Sequence, residues 1–241
     1  MPLDENWLRP DWPEVVAFMT TRGTNFGRKA GDAEDVRKNR DRLAKVLGAR
    51  PIFLDQAHGA HVVKLQPGWH DDNAPQADAA VSTDPGLPVA ILVADCLPVL
   101  FSAPGGVAGA HAGWRGLAAG VLENTLAALC AAAKCSPGEV KAWLGACIGP
   151  EAFEVGPEVV AAFGREPVAH DQPGFLYRPA PQPRWRADLA LLARERLGAL
   201  GVRQISGGGW CTLTDESRFF SFRGEALGRP RGRMAACISL R

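Results

Sequence analysis

The most apolar part of this 241-residue chain, residues 87–101, has few ways to fold. Asp95, Pro88 and Pro98 interrupt it, so it is too short and too broken to cross a bilayer as a helix. It reads instead as two buried strands, residues 89–94 and 98–102. Ala103-Pro104-Gly105-Gly106 then makes a hairpin-type connection to a third strand at 107–110. Further strands are expected at 15–20, 52–56, 62–65, 79–82, 141–145, 174–177, 203–205, 219–222 and 234–240.

Helices are fewer. Asp32 is placed as an N-cap for a helix that carries Val36, Leu43, Val46 and Leu47 on one face and stops at Gly48. Apolar residues recur at helical spacing over 117–133 and 187–200, and Pro157 opens a short helix ended by Gly164. The proline-rich run at 178–184 reads as an exposed loop. Strands come in runs and helices singly, which predicts an α+β class, with mixed sheets layered between helices. No internal repeat or linker divides the chain, so the expectation is one domain over 1–241.

Charge and cysteine usage narrow the functions. Twenty-seven Lys and Arg face 26 Asp and Glu, so a globally basic nucleic-acid binder is excluded, though not a local basic site. A chain of this length needs no disulfides to fold. The first residues lack the basic and apolar regions of a signal peptide, so the six cysteines are expected to be reduced thiols in a cytoplasm. No membrane contact is expected, and a monomer is the default, because no heptads or apolar interface stripe are present.

Three residues beside glycines or at strand ends could carry chemistry. His58 follows a strand, Cys96 interrupts the apolar stretch, and His111 ends the strand after the hairpin. Two imidazoles and a thiolate suit a first-row metal. As zinc ligands they would leave a fourth position open, where bound water is acidified to a pKa of about 7. The same set can hold copper. The separations, 38 and 15 residues, are unlike a compact metal motif. A Cys96 nucleophile with His111 as its base is the alternative on spacing alone.

Weaker signals surround these three. Gly113-Trp114-Arg115-Gly116 stands before a helix, and Arg115 could help bind an anion there; a tight turn with a solvated arginine is the plainer reading. Arg22, Arg28 and Lys29 crowd a short glycine-containing loop. Arg223, Arg229, Arg231 and Arg233 make a basic segment read as exposed. Asp78 enters a strand, where an unpaired carboxylate would be out of place; it could touch substrate or cap a turn.

Four motifs occur in order: Gln56-x-His58-Gly59, Ala94-Asp95-Cys96-x-Pro98-Val99-Leu100, His111-Ala112-Gly113-Trp114-Arg115-Gly116, and Ile148-Gly149-Pro150-x-x-Phe153-Glu154-Val155-Gly156. With Thr21-Arg22, Asn39-Arg40, Cys211-Thr212 and Gly232-Arg233-Met234-Ala235, the chain resembles, nearly end to end, the YfiH/YlmD laccase-domain family. Its members are also called multifunctional purine nucleoside phosphorylases. The resemblance implies a single α+β domain and metal ligands at His58, Cys96 and His111, usually with zinc. It implies phosphorolysis of adenosine, inosine, guanosine and methylthioadenosine, and hydrolytic deamination of adenosine. The partners would then be purine nucleosides and phosphate. Copper-dependent polyphenol oxidation is an older label in the family, and some members are linked to editing of peptidoglycan precursors. Asp78 is the proton-shuttle candidate beside the metal, with Asp95 the alternative. Arg22, Asn25, Arg28 and Arg115 are the substrate-binding candidates. Many members have a longer loop after Thr-Arg; here residues 21–27 run quickly into Gly31-Asp32.

Overall fold

A computed structural model of the chain describes residues 3–70 and 73–241. The first half contains β1 (Val15–Met19), α1 (Ala33–Leu47), β2 (Ile52–Phe53), β3 (Val62–Lys64), β4 (Ala79–Ser82) and β5 (Val89–Val93). The apolar hairpin follows as β6 (Leu97–Ala103) and β7 (Gly106–Ala112), then α2 (Trp114–Ala118) and α3 (Val121–Ala133). The remainder is β8 (Lys141–Leu144), β9 (Glu154–Val155), α4 (Pro157–Ala162), β10 (Phe175–Arg178), β11 (Arg184–Ala187), α5 (Leu189–Ala199), β12 (Gln204–Gly207), α6 (Phe222–Glu225) and β13 (Met234–Leu240).

Three mixed or antiparallel sheets result. Six strands run in the order β12-β8-β6-β7-β4-β3, four as β1-β13-β5-β2, and three as β10-β11-β9. The alternation along β13 shows how the layers stack. Met234, Ala236 and Ile238 join a cluster with Leu100, Val107 and Trp143 of the six-stranded sheet. Ala235 and Cys237 point the other way, onto Leu43 and Leu47 of α1. On its far face the six-stranded sheet packs Val99, Phe101, Ala108 and Ala110 against Leu122, Leu126 and Leu129 of α3 and Leu192 and Leu197 of α5. Helix, sheet, sheet and helices therefore form successive layers, an α+β architecture. Because both sheets are covered on both faces, β6 and β7 are buried throughout. That is why they read as continuous apolar runs and not as alternating ones. Among the described residues no helix is long and apolar enough to cross a membrane.

Local chemistry sets many boundaries as expected. Asp32 accepts hydrogen bonds from the amides of Glu34 and Asp35 at 2.8 and 3.1 Å, and Gly48 ends α1 at φ 77°.

Several expectations need correction. The helix over 117–133 is two helices: α2 begins at Trp114, and Gly120 at φ 91° separates it from α3. The second helix start is Leu189, since Asp188 caps it by accepting from the Leu191 amide at 2.9 Å. The proline-rich run is an exposed loop as expected, but it is the turn of a hairpin whose second strand, β11, was not expected; β11 pairs Arg184 with Arg178 and Trp185 with Tyr177. Residues 219–222 form no strand; the Phe220 amide donates to Met234 Sδ at 3.1 Å and Ser221 caps α6. The strand over 52–56 stops at Phe53, and the side chain of Gln56 takes over the pairing, bonding the carbonyl and amide of Leu92 at 2.8 Å each.

Candidate metal site and its cavity

The hairpin register assembles the first two donors. β6 and β7 pair antiparallel with Pro98 opposite His111 and Leu97 opposite Ala112. One further step sets Cys96 against Gly113, where an added Cβ would lie 2.8 Å from Cys96 Sγ. Residues 111 and 113 point to the same face of a strand, so the imidazole and the thiol meet.

The third donor arrives on a turn. His58 adopts a left-handed conformation, φ 62°, which a non-glycine residue holds only when its surroundings impose it. Asp78, one residue before β4, imposes it here. Its carboxylate accepts hydrogen bonds from the amides of Ala57, His58 and Gly59 at 3.2, 2.8 and 2.7 Å. The same Oδ1 lies 2.9 Å from His111 Nδ1, and the Asp78 carbonyl accepts from the His111 amide at 2.7 Å. One buried carboxylate thus holds both histidines. Gly116 completes the fit, since a Cβ there would stand 2.7 Å from the Gly59 carbonyl oxygen.

Cys96 is steered from behind by Asp95, at φ 82°. Its buried carboxylate accepts from Thr212 Oγ1 at 2.6 Å, Ser221 Oγ at 3.0 Å and the Arg223 amide at 2.7 Å. Its carbonyl takes the Ile148 amide at 2.9 Å. Four separated segments are gathered at this residue.

The donor atoms of His58, Cys96 and His111 lie within 4.8 Å of one another. Zinc with bonds of about 2.0–2.3 Å in tetrahedral geometry spaces its donors by about 3.5 Å, so a small inward movement closes the set. His58 is the exposed member of the set. Asp78 engages Nδ1 of His111, leaving Nε2 for a metal, as outer-shell carboxylates do around zinc histidines. The residues fit a three-ligand zinc or copper centre with an open position.

The electrostatics agree. Burial pushes the Cys96 thiol up, but attraction to His111 and hydrogen bonds from His111 and His58 outweigh it and bring the thiol down to about 6. Burial lowers His111; the charge of Cys96 and the bond to Asp78 overcome this and raise it to about 9. Burial raises Asp78, yet hydrogen bonds from His111 and the Gly59 amide hold it below the usual carboxylate range.

The three donors open into a cavity of about 910 Å³. Trp114, Arg115, Ile148, Phe153, Phe222 and Arg223 line it, as do Arg28, Lys29, Arg40 and Arg233. Arg115 is exposed, with its guanidinium 4.4 Å from the Trp114 ring centroid. Of the other residues singled out from the sequence, Arg28 lines the cavity, whereas Arg22, Asn25 and Asp78 do not. Arg22 donates from its amide to the Arg218 carbonyl at 2.8 Å and from its guanidinium to the Glu216 carbonyl. Asn25 clasps its own loop: its Oδ1 accepts from the Gly27 and Arg233 amides at 3.0 and 2.8 Å, and its Nδ2 donates to the Ala30 carbonyl at 3.1 Å. Asp78 is spent on the two histidine segments, which suits a positioning residue better than a proton shuttle. Sequence reasoning missed Phe222; Arg223 is exposed, as it was read, whereas Arg233 is half-buried, and both line the cavity. Their placement depends on Asp95 and Asn25, far away in the chain, so no local pattern marks it.

Residues 16–241 match the family model described as multi-copper polyphenol oxidoreductase laccase. A Pseudomonas aeruginosa protein named purine nucleoside phosphorylase is 44% identical over 252 residues, spanning 97% of this chain and 98% of its own. Escherichia coli YfiH, also named purine nucleoside phosphorylase, is 42% identical over 253 residues, spanning 96% and 97%. Among solved structures, YlmD from Geobacillus stearothermophilus superposes with a TM-score of 0.86 at 30% identity, over all of this chain and 98% of that one. With the motifs, the layered fold and these end-to-end matches in agreement, the chain belongs to the laccase-domain family that includes YfiH and YlmD.

Proposed function

We propose that the chain is a metal-dependent purine nucleoside enzyme. It cleaves adenosine, inosine, guanosine and methylthioadenosine with phosphate, and hydrolytically deaminates adenosine. It works as a monomer in the cytoplasm. The observation that carries this reading is the His58, Cys96 and His111 donor set opening into a cavity with basic and aromatic walls. The names of the two relatives support the phosphorylase half.

Zinc, when bound, supplies Lewis-acid charge at the cavity. The chain's own residues do the rest. Asp78 keeps His111 in one orientation and the His58 turn in register. Arg115, exposed beside the donors, offers a two-pronged grip on phosphate, and Arg28 adds positive charge to the same cavity. Trp114 and Phe153 provide apolar surface for a ribose or base.

Metal analysis of protein purified without a nickel column, then nucleoside turnover with and without chelator, tests the proposal. Zinc at one equivalent and chelator-sensitive phosphorolysis are the expected results. Arg115→Ala should keep its metal, raise the KM for phosphate and spare deamination, which consumes water. Loss of both reactions together with metal retained would defeat that division of roles.

A specific observation favours a second reading. The Cys96 thiol brought down to about 6 beside His111 is also what a cysteine nucleophile with its base requires. Such an enzyme, hydrolysing peptidoglycan precursors, would turn over unchanged in chelator. Phenol oxidation with copper is what the family description names. We rank it last, because the chain has five histidines and multicopper centres consume more. Oxygen uptake with a phenol after copper loading would reverse that order.

A further inference from the structure

Phe222 is out of place by the ordinary logic of burial. It is 60% exposed, although burial stabilises a phenyl ring. Of the large apolar side chains left exposed among the described residues, Leu191, Leu200, Phe222 and Leu227, only Phe222 lines the cavity.

Its position is imposed by its neighbours. Ser221 Oγ and the Arg223 amide both donate to the same oxygen of Asp95, Oδ2, at 3.0 and 2.7 Å. The residue between two such anchors has its backbone fixed, and its side chain lines the cavity. Asp95 directly precedes Cys96, so the ring is set relative to the metal donors. The Arg233 guanidinium lies 5.8 Å from the ring centroid and is itself held by Glu225 at 2.7 Å. The ring therefore stands exposed on a fixed backbone and is backed by a cation.

From this placement we infer that Phe222 is a specificity-determining residue that stacks on the aromatic base of the substrate, with a flat nitrogen heterocycle as the ligand class. The inference rests on the nucleoside reading above and deepens it. A ring with few rotatable bonds, already turned toward the cavity, loses little freedom when a base covers it. Stacking of this kind tolerates different bases, because each has a π-face. It therefore suits a site that accepts both adenine and hypoxanthine.

The test is steady-state phosphorolysis by Phe222→Ala, Phe222→Leu and Phe222→Trp, with Leu227→Ala as the control. Leu227 is 67% exposed in the same segment but does not line the cavity. Phe222→Ala is expected to raise the nucleoside KM about tenfold, within the usual range for losing one base–aromatic stack, with the phosphate KM unchanged. Phe222→Trp should match wild type, Phe222→Leu should fall between, and Leu227→Ala should do nothing. An unchanged KM in Phe222→Ala, or full recovery by leucine, would overturn the inference. A separate titration of Phe222→Trp with adenosine follows tryptophan fluorescence. Quenching beyond that of wild type reports stacking whether or not the nucleoside is turned over. If wild type cleaves no nucleoside but this quench appears, the proposed reaction falls and the stacking residue stands. If neither appears, both fall.

Discussion

A carboxylate that accepts three backbone amides and an imidazole at once, as Asp78 does, has no spare lone pair aimed at a substrate. Its influence on chemistry passes through the two histidines it holds. Asp78→Asn replaces an acceptor oxygen with a donor that faces amide donors, so the His58 turn should loosen. Metal affinity should then drop by about 10–100-fold, the usual cost of losing an outer-shell partner, measured by competition with a chromophoric chelator. Cys96→Ala removes one of the three candidate donors outright. It should stay folded, costing about 1 kcal/mol in urea melts, and lose metal and every metal-dependent activity together. Chelator-stripped protein should be alkylated by iodoacetamide at Cys96 before the buried Cys147 and Cys237, whose thiols burial pushes up. The thiolate is the reactive form, so the rate at Cys96 should fall as pH is taken down through about 6. Equal labelling of all six cysteines would contradict this order. At this scale the three candidate donors were legible because each sits beside a glycine or a strand end inside a motif. Asp95 was legible only as part of a motif, since its partners Thr212, Ser221 and Arg223 lie more than a hundred residues away.

The central strands of the two large sheets, β5, β6, β7 and β13, were readable in sequence because burial on both faces makes them largely apolar. Errors fell where a tertiary partner replaced a local rule. Gly120 lies inside an unbroken apolar period, and nothing in that period signals φ 91°. β11 carries two arginines and follows three prolines, yet Trp185 and Ala187 are buried, and beyond its hairpin partner β10 it pairs with Glu154 and Val155 of the distant β9. Residues 219–222 look β-like but spend their hydrogen bonds on Met234 and Asp95. Two glycine substitutions test these elements separately. Gly120→Ala places a Cβ at a left-handed position and should lower stability by about 1–2 kcal/mol without touching the metal. Gly113→Ala meets Cys96 Sγ at 2.8 Å and His58 Cδ2 at 3.4 Å. It should unfold at nearly the wild-type denaturant concentration yet bind metal poorly. The same metal affinity in both variants would mean that the approach at Gly113 is not what brings the donors together.

Across the whole molecule, the donors come from three segments of the chain: a loop after β2, the β5–β6 junction and the end of β7. A metal that binds all three binds only the folded state. At a free concentration one hundred times its Kd it should add about 2.7 kcal/mol. For a chain of this size that is a rise of roughly 5–10 °C in Tm, read by calorimetry with and without zinc. Cys96→Ala should show no such rise. The β6–β7 pairing carries a further consequence, for insertions and deletions. Side chains alternate along a strand, so whether His111 looks toward Cys96 or away from it depends only on whether the count of residues from the turn is odd or even. A single residue gained or lost between Val107 and His111, unless absorbed as a bulge, would send the imidazole to the opposite face of a sheet that is buried on both sides. Such a lineage would keep a foldable hairpin and lose its chemistry in one step, and a second change of one residue would return it. The centre is thus guarded by parity as well as by the identity of its ligands.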